Sequence, residues 1–232
     1  MIKQLFNNIS NEEKSEAIEK LVEHSVPSND FFLMVILSVL MATFGLLIGN
    51  SAVVVGSMLI APILYPILGL SMGIIMSDYL LISKSFLTFL KASILGIIVS
   101  AGVTLLFSSQ VGGNTPEILS RTQPSLVSFM IGAVAGFAAA FAIVKRKLND
   151  MLPGVAISVA LIPPLAVVGI GLARFDMEVL LNSFLLFIIN AAGIIFTAVI
   201  VFSLMNFYNK RKEAEHVVKI EEKKLEAEEK KV

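Results

Sequence analysis

The chain has no cysteine and only two histidines, His24 and His216, both in polar terminal segments. Without cysteine there is no disulfide, no thiolate metal site and no thiol nucleophile, and the redox compartment leaves no mark. The two histidines argue against a zinc or haem centre. Charge is also scarce, at 16% of 232 residues, against about 25% in ordinary soluble domains. Apolar residues fill the gap: 56% of the chain is hydrophobic and the mean hydropathy is +0.85. That composition excludes a soluble globular protein, a disordered chain and a nucleic-acid-binding domain. The 18 basic and 18 acidic residues balance, so their placement matters more than their sum.

Long runs carry no charge at all. They are 31–77, split by Gly49-Asn50-Ser51, then 92–116, 122–144, 151–173 and 179–209. Counting the split run as two gives six. A helix crossing ~30 Å of hydrocarbon needs about 20 apolar residues. The runs therefore predict an all-α membrane protein with six transmembrane spans. Leu33-Met34-Val35-Ile36-Leu37 does not alternate, as a membrane β-strand would. The first run starts at Phe31 after an acidic segment, unlike the basic leader of a signal peptide, so the N-terminus is expected to be retained.

Six spans put both termini on one side. With that side in the cytoplasm, the short inner loops hold Lys84, Lys91, Lys145, Arg146 and Lys147, and the outer ones hold only Arg121 and Arg174. The positive-inside rule favours this orientation in a cell inner membrane. The chain then divides into a cytoplasmic segment 1–30, a transmembrane domain 31–208 and a charged cytoplasmic tail 209–232. Ser10 and Glu13 form a capping-box pattern, and Ile18, Leu21 and Val22 share one helical face. A short amphipathic helix on the membrane surface or a neighbouring element is expected there. Lys, Glu and Ala dominate the tail, which predicts a solvated helical extension.

Two segments resemble each other. Met58-Leu59-Ile60-Ala61-Pro62-Ile63 aligns with Ala160-Leu161-Ile162-Pro163-Pro164-Leu165, and Gly69 with Gly171. After a four-residue deletion Asp78 aligns with Asp176, and Ser85-Phe86-Leu87 with Ser183-Phe184-Leu185. Repeats at about 31–108 and 125–208 would hold three spans each. An odd number makes them enter the membrane from opposite sides, as an inverted three-plus-three repeat.

Proline marks the second and fifth spans. Pro62 and Pro66 lie in one, Pro163 and Pro164 in the other. Proline removes a backbone donor, clashes with the carbonyl four residues back and pushes its predecessor out of helical geometry. Breaks are expected at both places. Freed carbonyls in hydrocarbon cost several kcal/mol unless satisfied, so irregular backbone at that depth survives only inside protein or beside a wet cavity. Paired interruptions in corresponding positions point to a midplane binding site. The half-helix after each break would aim a positive end at that site, favouring an anion or a polar group.

The stretches from Asn50 to Pro62 and from Gly154 to Gly171 resemble domain-of-unknown-function family 389, described as an uncharacterised hydrophobic domain of prokaryotic membrane proteins. The likeness covers roughly residues 30–208. It implies a membrane location and supplies no substrate or catalytic residue. Some members carry a larger soluble domain ahead of the membrane part, where this chain has about 30 residues.

Few polar groups lie within the spans. Ser57 and Ser158 sit one turn before the breaks, and Asn190 is the deepest strongly polar side chain of the sixth span. Each can bond a freed carbonyl or line a path. Asp78 and Asp176 read as helix N-caps, as do Asn50 and Asp150. No acid pair, His or Cys occurs in the spans, and no phosphate loop is present. The reading is a non-enzymatic permease or channel, without cofactor or metal, for a small anion or polar solute. Its path would be lined by Ser57, Pro62, Pro66, Ser158, Pro163, Pro164 and Asn190. Its partners would be the lipid bilayer, the solute and further copies in a homo-oligomer, with no nucleic acid. The alternative is a membrane scaffold or regulatory subunit acting through the tail.

Overall fold

The helices turn much of their apolar surface outward and much of their hydroxyl content inward. Leu33, Leu37, Ile94, Ile98, Val134 and Phe196 are exposed, while Ser38, Ser57, Ser71 and Ser100 are fully buried. Lipid, not water, suits such an exterior. The structure is a computed structural model that describes residues 9–25, 28–107, 113–145, 148, 161–210, 217, 218 and 220.

Among these residues every regular element is helical. In chain order they are α1 (Asn11–Ser25), α2 (Asn29–Leu47), α3 (Ser51–Ile60), α4 (Leu64–Met76), α5 (Tyr79–Phe107), α6 (Pro116–Leu119), α7 (Leu126–Val144), α8 (Ile162–Arg174) and α9 (Met177–Leu204), then a 3-10 turn, Phe207–Lys210. Four are long and apolar enough to cross a membrane: α2, α5, α7 and α9. The α3–α4 pair, bent by 51°, makes a fifth crossing if it counts as one span. α8 is apolar but has only 13 residues, about 20 Å of helix. The chain is thus compatible with a multi-pass membrane protein. The expected fifth span is represented by α8 alone, because 151–160 lie outside the described residues.

Local sequence explains where the helices start. Ser28 accepts from Phe31 N, Asn50 from Ala52 N and Val53 N, and Ser125 from Ser128 N. Each satisfies donors that a first turn leaves unpaired. α1 begins with the expected capping box: Glu13 N–H donates to Ser10 Oγ at 3.1 Å, and Ser10 N–H to Glu13 Oε2 at 2.9 Å.

α1 is part of the core. Ala17, Ile18, Leu21 and Val22 are buried against the bundle, where α1 packs chiefly on α4. Glu13 reaches Lys145 at the end of α7 at 3.9 Å, and Lys14 lies over the Phe207 ring. Burial of three large aliphatic chains stabilises this docking by about 1.5–3 kcal/mol each before ordering costs. Of the two settings expected for this helix, packing on neighbouring elements is the one found. Of the charged tail, only Asn209, Lys210, Val217, Val218 and Ile220 are among the described residues.

Candidate functional site

α3 stops at Ile60 because Pro62 follows. Ala61 takes an extended conformation, φ −74° and ψ 120°, as a residue before proline prefers. The end of α3 leaves carbonyls without helical donors. One of them is met from outside: Ser38 Oγ of α2 donates to Ser57 O at 2.6 Å. Ser57 Oγ donates in turn to Val54 O at 2.6 Å. Both polar groups of Ser57 are therefore engaged within the α2–α3 pair. Sequence reasoning missed Ser38, whose only signal was a hydroxyl in an otherwise apolar run.

The chain restarts at once. Tyr65 N–H bonds Pro62 O at 3.3 Å, and α4 runs from Leu64, with Ile63 at the N-cap and no side-chain cap bond. Pro66 is the third residue of α4. An N–H there has no intrahelical acceptor, so proline costs nothing. Pro62 breaks the span; Pro66, expected to break it too, is a buried part of the next first turn.

The second half offers the same kind of start. α8 begins at Ile162 after Leu161, again without a side-chain cap. Pro163 and Pro164 are buried in its first turn, and Leu165 N–H bonds Leu161 O at 3.3 Å. Ser158 and Asp150 lie outside the described residues.

α4 and α8 match in more than their starts. Each has 13 residues. Each ends on a left-handed residue, Ser77 at φ 52° and Phe175 at φ 55°. Asp78 N–H then bonds Gly73 O at 3.0 Å, and Asp176 N–H bonds Gly171 O at 2.9 Å. A methyl on Gly73 would come 3.0 Å from Ile82 N, and one on Gly171 2.8 Å from Leu180 N. Glycine there lets the half-helix lie against the next helix. These pairs are all 98 positions apart without a gap. At that spacing Pro66, not Pro62, corresponds to Pro164, and Gly73, not Gly69, to Gly171. Both aspartates cap as expected: Asp78 Oδ1 accepts from Leu80 N and Leu81 N, and Asp176 Oδ1 from Val179 N.

The long helices cross between the halves. α8 packs on α5 as well as on α9, and α4 packs on α9 as well as on α5. Asn190 is buried on α9. Its backbone abuts α7, since a methyl on Gly132 would come 2.7 Å from Asn190 O. Ser57 thus belongs to the α2–α3 contact, whereas the Asn190 backbone belongs to the α7–α9 contact. One further polar cluster, unforeseen from the sequence, closes the end of α8. Arg174 donates to Gly113 O at 2.7 Å and Asn114 Oδ1 at 2.8 Å, and Asn114 Nδ2 donates to Asp176 Oδ2 at 3.2 Å.

Comparison with known proteins agrees with the earlier resemblance. The family model described as "Domain of unknown function (DUF389)" matches residues 58–196. An uncharacterised protein of Methanocaldococcus jannaschii is 34% identical over 206 residues, which is 84% of this chain and 63% of that protein. The chain therefore spans less than two thirds of that relative's length. No solved structure matches. The chain belongs to the DUF389 family.

Proposed function

We propose, from this family membership and the geometry above, that the chain is a small integral membrane permease or channel. Its six spans form an inverted three-plus-three repeat, and the path runs between the half-helices α4 and α8. The observation that carries the reading is the pair of 13-residue half-helices in corresponding positions, each with proline in its first turn and no side-chain cap. Discontinuous helices so paired are the usual frame of a midplane solute site. The positive ends of the half-helix dipoles suit a small anion or polar solute.

One contact supports the repeat. Phe89 of α5 and Phe187 of α9 stack at 5.5 Å with ring planes 9° apart, and they are 98 positions apart. Equivalent residues of two halves touch only on the axis that relates them. Pro62, Pro66, Pro163 and Pro164 shape the cavity, and Ser57, Ser158 and Asn190 border it. The protein works as a homo-oligomer in the inner membrane of the cell with both termini in the cytoplasm, catalyses no reaction and binds no cofactor.

The lack of native cysteine makes the test direct. Single cysteines at Ala61 and Leu161 are labelled from each side with a membrane-impermeant thiol reagent, against cysteines at Val134 and Ile98 on the exposed apolar face. Labelling at the half-helix starts, with solute flux in proteoliposomes, is expected. Silence there with reactive loop controls overturns the reading. It would favour a scaffold, which the internally satisfied Ser57 also fits. A scaffold loses its partner, and no flux, when 210–232 are deleted.

A further inference from the structure

Buried hydroxyls in the described helices follow one rule with two exceptions. Thr43, Ser71 and Thr104 donate to the carbonyl four residues back, and Ser38, Thr88 and Ser100 donate to carbonyls of other segments, at 2.6–2.9 Å. This is how serine and threonine are normally accommodated in apolar helices. Ser85 and Ser183 are fully buried, and neither hydroxyl has a hydrogen-bond partner among the described residues. An unmet buried hydroxyl costs about 1–3 kcal/mol. These two are also 98 positions apart, in the twin Ser-Phe-Leu stretches of α5 and α9.

Ser85 faces the half-helix α4, and Ser183 takes the corresponding position in the second half. Each lies one turn beyond the residue that meets the close-packed glycine of its own half, Ile82 or Leu180. For Ser85 the neighbours are explicit. A methyl on Gly69 would run into Ser25 Oγ and lie 2.7 Å from Ser85 Oγ. Ser25 Oγ donates to Tyr65 O at 3.4 Å, and Thr88 Oγ1 donates to Ser25 O at 2.8 Å. With their protons committed, those hydroxyls offer lone pairs. Asp78 lies two turns earlier on the same face of α5. Its Oδ2 is buried, with no hydrogen-bond partner among the described residues. Oxygen donors with a carboxylate nearby suit a hard cation. The carboxylate is about 10 Å along the helix from Ser85, so it acts by field rather than as a ligand.

We propose that Ser85 is a ligand of a monovalent cation held between α5 and α4, and that Ser183 holds a second between α9 and α8. The first site binds more tightly, because Asp176 in the second half is already engaged by Asn114. Service as a coupling ion rests on the permease reading; binding does not.

The test is thermal unfolding of the purified full chain in detergent, in sodium chloride against choline chloride at equal ionic strength. Sodium is expected to raise the wild-type Tm by about 2–4 °C. Ser85→Ala loses most of that rise, Ser183→Ala a smaller part, and the double variant all of it. Asp78→Asn, which keeps a capping oxygen, weakens the rise. Equal wild-type Tm in both salts, or a rise that the double variant keeps, overturns the proposal. Should a variant fail to fold, radioactive sodium binding to the wild type decides: saturable uptake displaced by sodium but not by choline is expected, and its absence overturns it. A sodium-dependent Tm without solute flux would refute the permease and leave the ion sites standing.

Discussion

The two halves of the bundle share a skeleton and differ in how it is fastened. The helices match in length: 19 residues for α2 and α7, 13 for α4 and α8, 29 and 28 for α5 and α9. In the first half the fastening is by hydroxyl: Ser38 bonds the end of α3, and Thr88 the end of α1. In the second, among the described residues, a single such bond, Thr197 Oγ1 to Ala133 O at 2.7 Å, joins α9 to α7, and backbone contact between them is closer. Gly193 comes so near α7 that a methyl there would lie 2.5 Å from Phe129 O, and one on Gly136 would lie 2.6 Å from Ile194 Cα. Helices in lipid gain little from hiding apolar surface from each other, so polar bonds and backbone proximity are the two remaining means of holding them. Both halves use both, since Gly45 in the first half also lies so near α3 that a methyl there would come 2.9 Å from Val54 N, but the closest backbone contacts are in the second.

The largest effect should come from spoiling close approach. Gly193→Ala pushes a methyl into backbone and is expected to cost about 1–3 kcal/mol, read as a lower Tm in detergent. Gly102→Ala meets nothing within 4 Å and should be neutral or slightly stabilising. Equal effects at the two glycines would break the contrast. The first half should respond to loss of a hydroxyl instead. Ser38→Ala strips the donor from Ser57 O, with an expected loss of about 1–2 kcal/mol. The Ser38→Thr variant, which keeps the donor, should lose less. If both lose equally, the bond to Ser57 is not what holds α2 to α3.

The smallest effect concerns α1, which packs chiefly on α4 of the first half and reaches Lys145 of the second. His24 rests against Tyr65 with ring centroids 4.4 Å apart. Burial, aided by Lys20 and opposed by Glu23, holds its pKa below the usual 6.5. The folded state therefore binds this proton less readily than the unfolded state. The contribution of His24 is intact above pH 6.5 and is lost as pH falls through the depressed folded value. His24→Gln should flatten the fall of Tm below pH 6.5 and leave the Tm at pH 8 nearly unchanged. An unaltered profile would mean the ring is freely hydrated.

Much of this skeleton is legible in the residues. Charge-free runs locate α2, α7, α9 and the second half of α5, whose first half carries the Lys84 and Lys91 expected in a loop; Pro62 locates the break, and Asp78 and Asp176 locate the starts of long helices. The N-caps follow from local chemistry, which needs only a few neighbouring residues. Other features required the fold. Pro66 reads as a breaker until α4 is seen to start two residues before it. Ser38 and Ser85 look alike in sequence; only packing shows one hydroxyl bonded across to another helix and the other without a partner. The partner of α1 required the fold too, because an amphipathic face does not say what it meets. The 98-residue spacing is legible from Asp78 onward; that it extends back to Pro66 without a gap emerges from the backbone geometry at Ser77 and Phe175, where side-chain identity carries no likeness.

The stacked Phe89 and Phe187 rings have a consequence for motion. In a pair of halves related by a two-fold axis, a change of state amounts to the halves trading conformations. Under the proposed repeat every ordinary contact between them would be replaced by its two-fold counterpart: Ser100 on Ala166, for example, would give way to Ala198 on Leu68. A contact between two equivalent residues is its own counterpart. Under the proposed repeat the ring pair would be a fixed point of the exchange, a place where both states hold the same two side chains together.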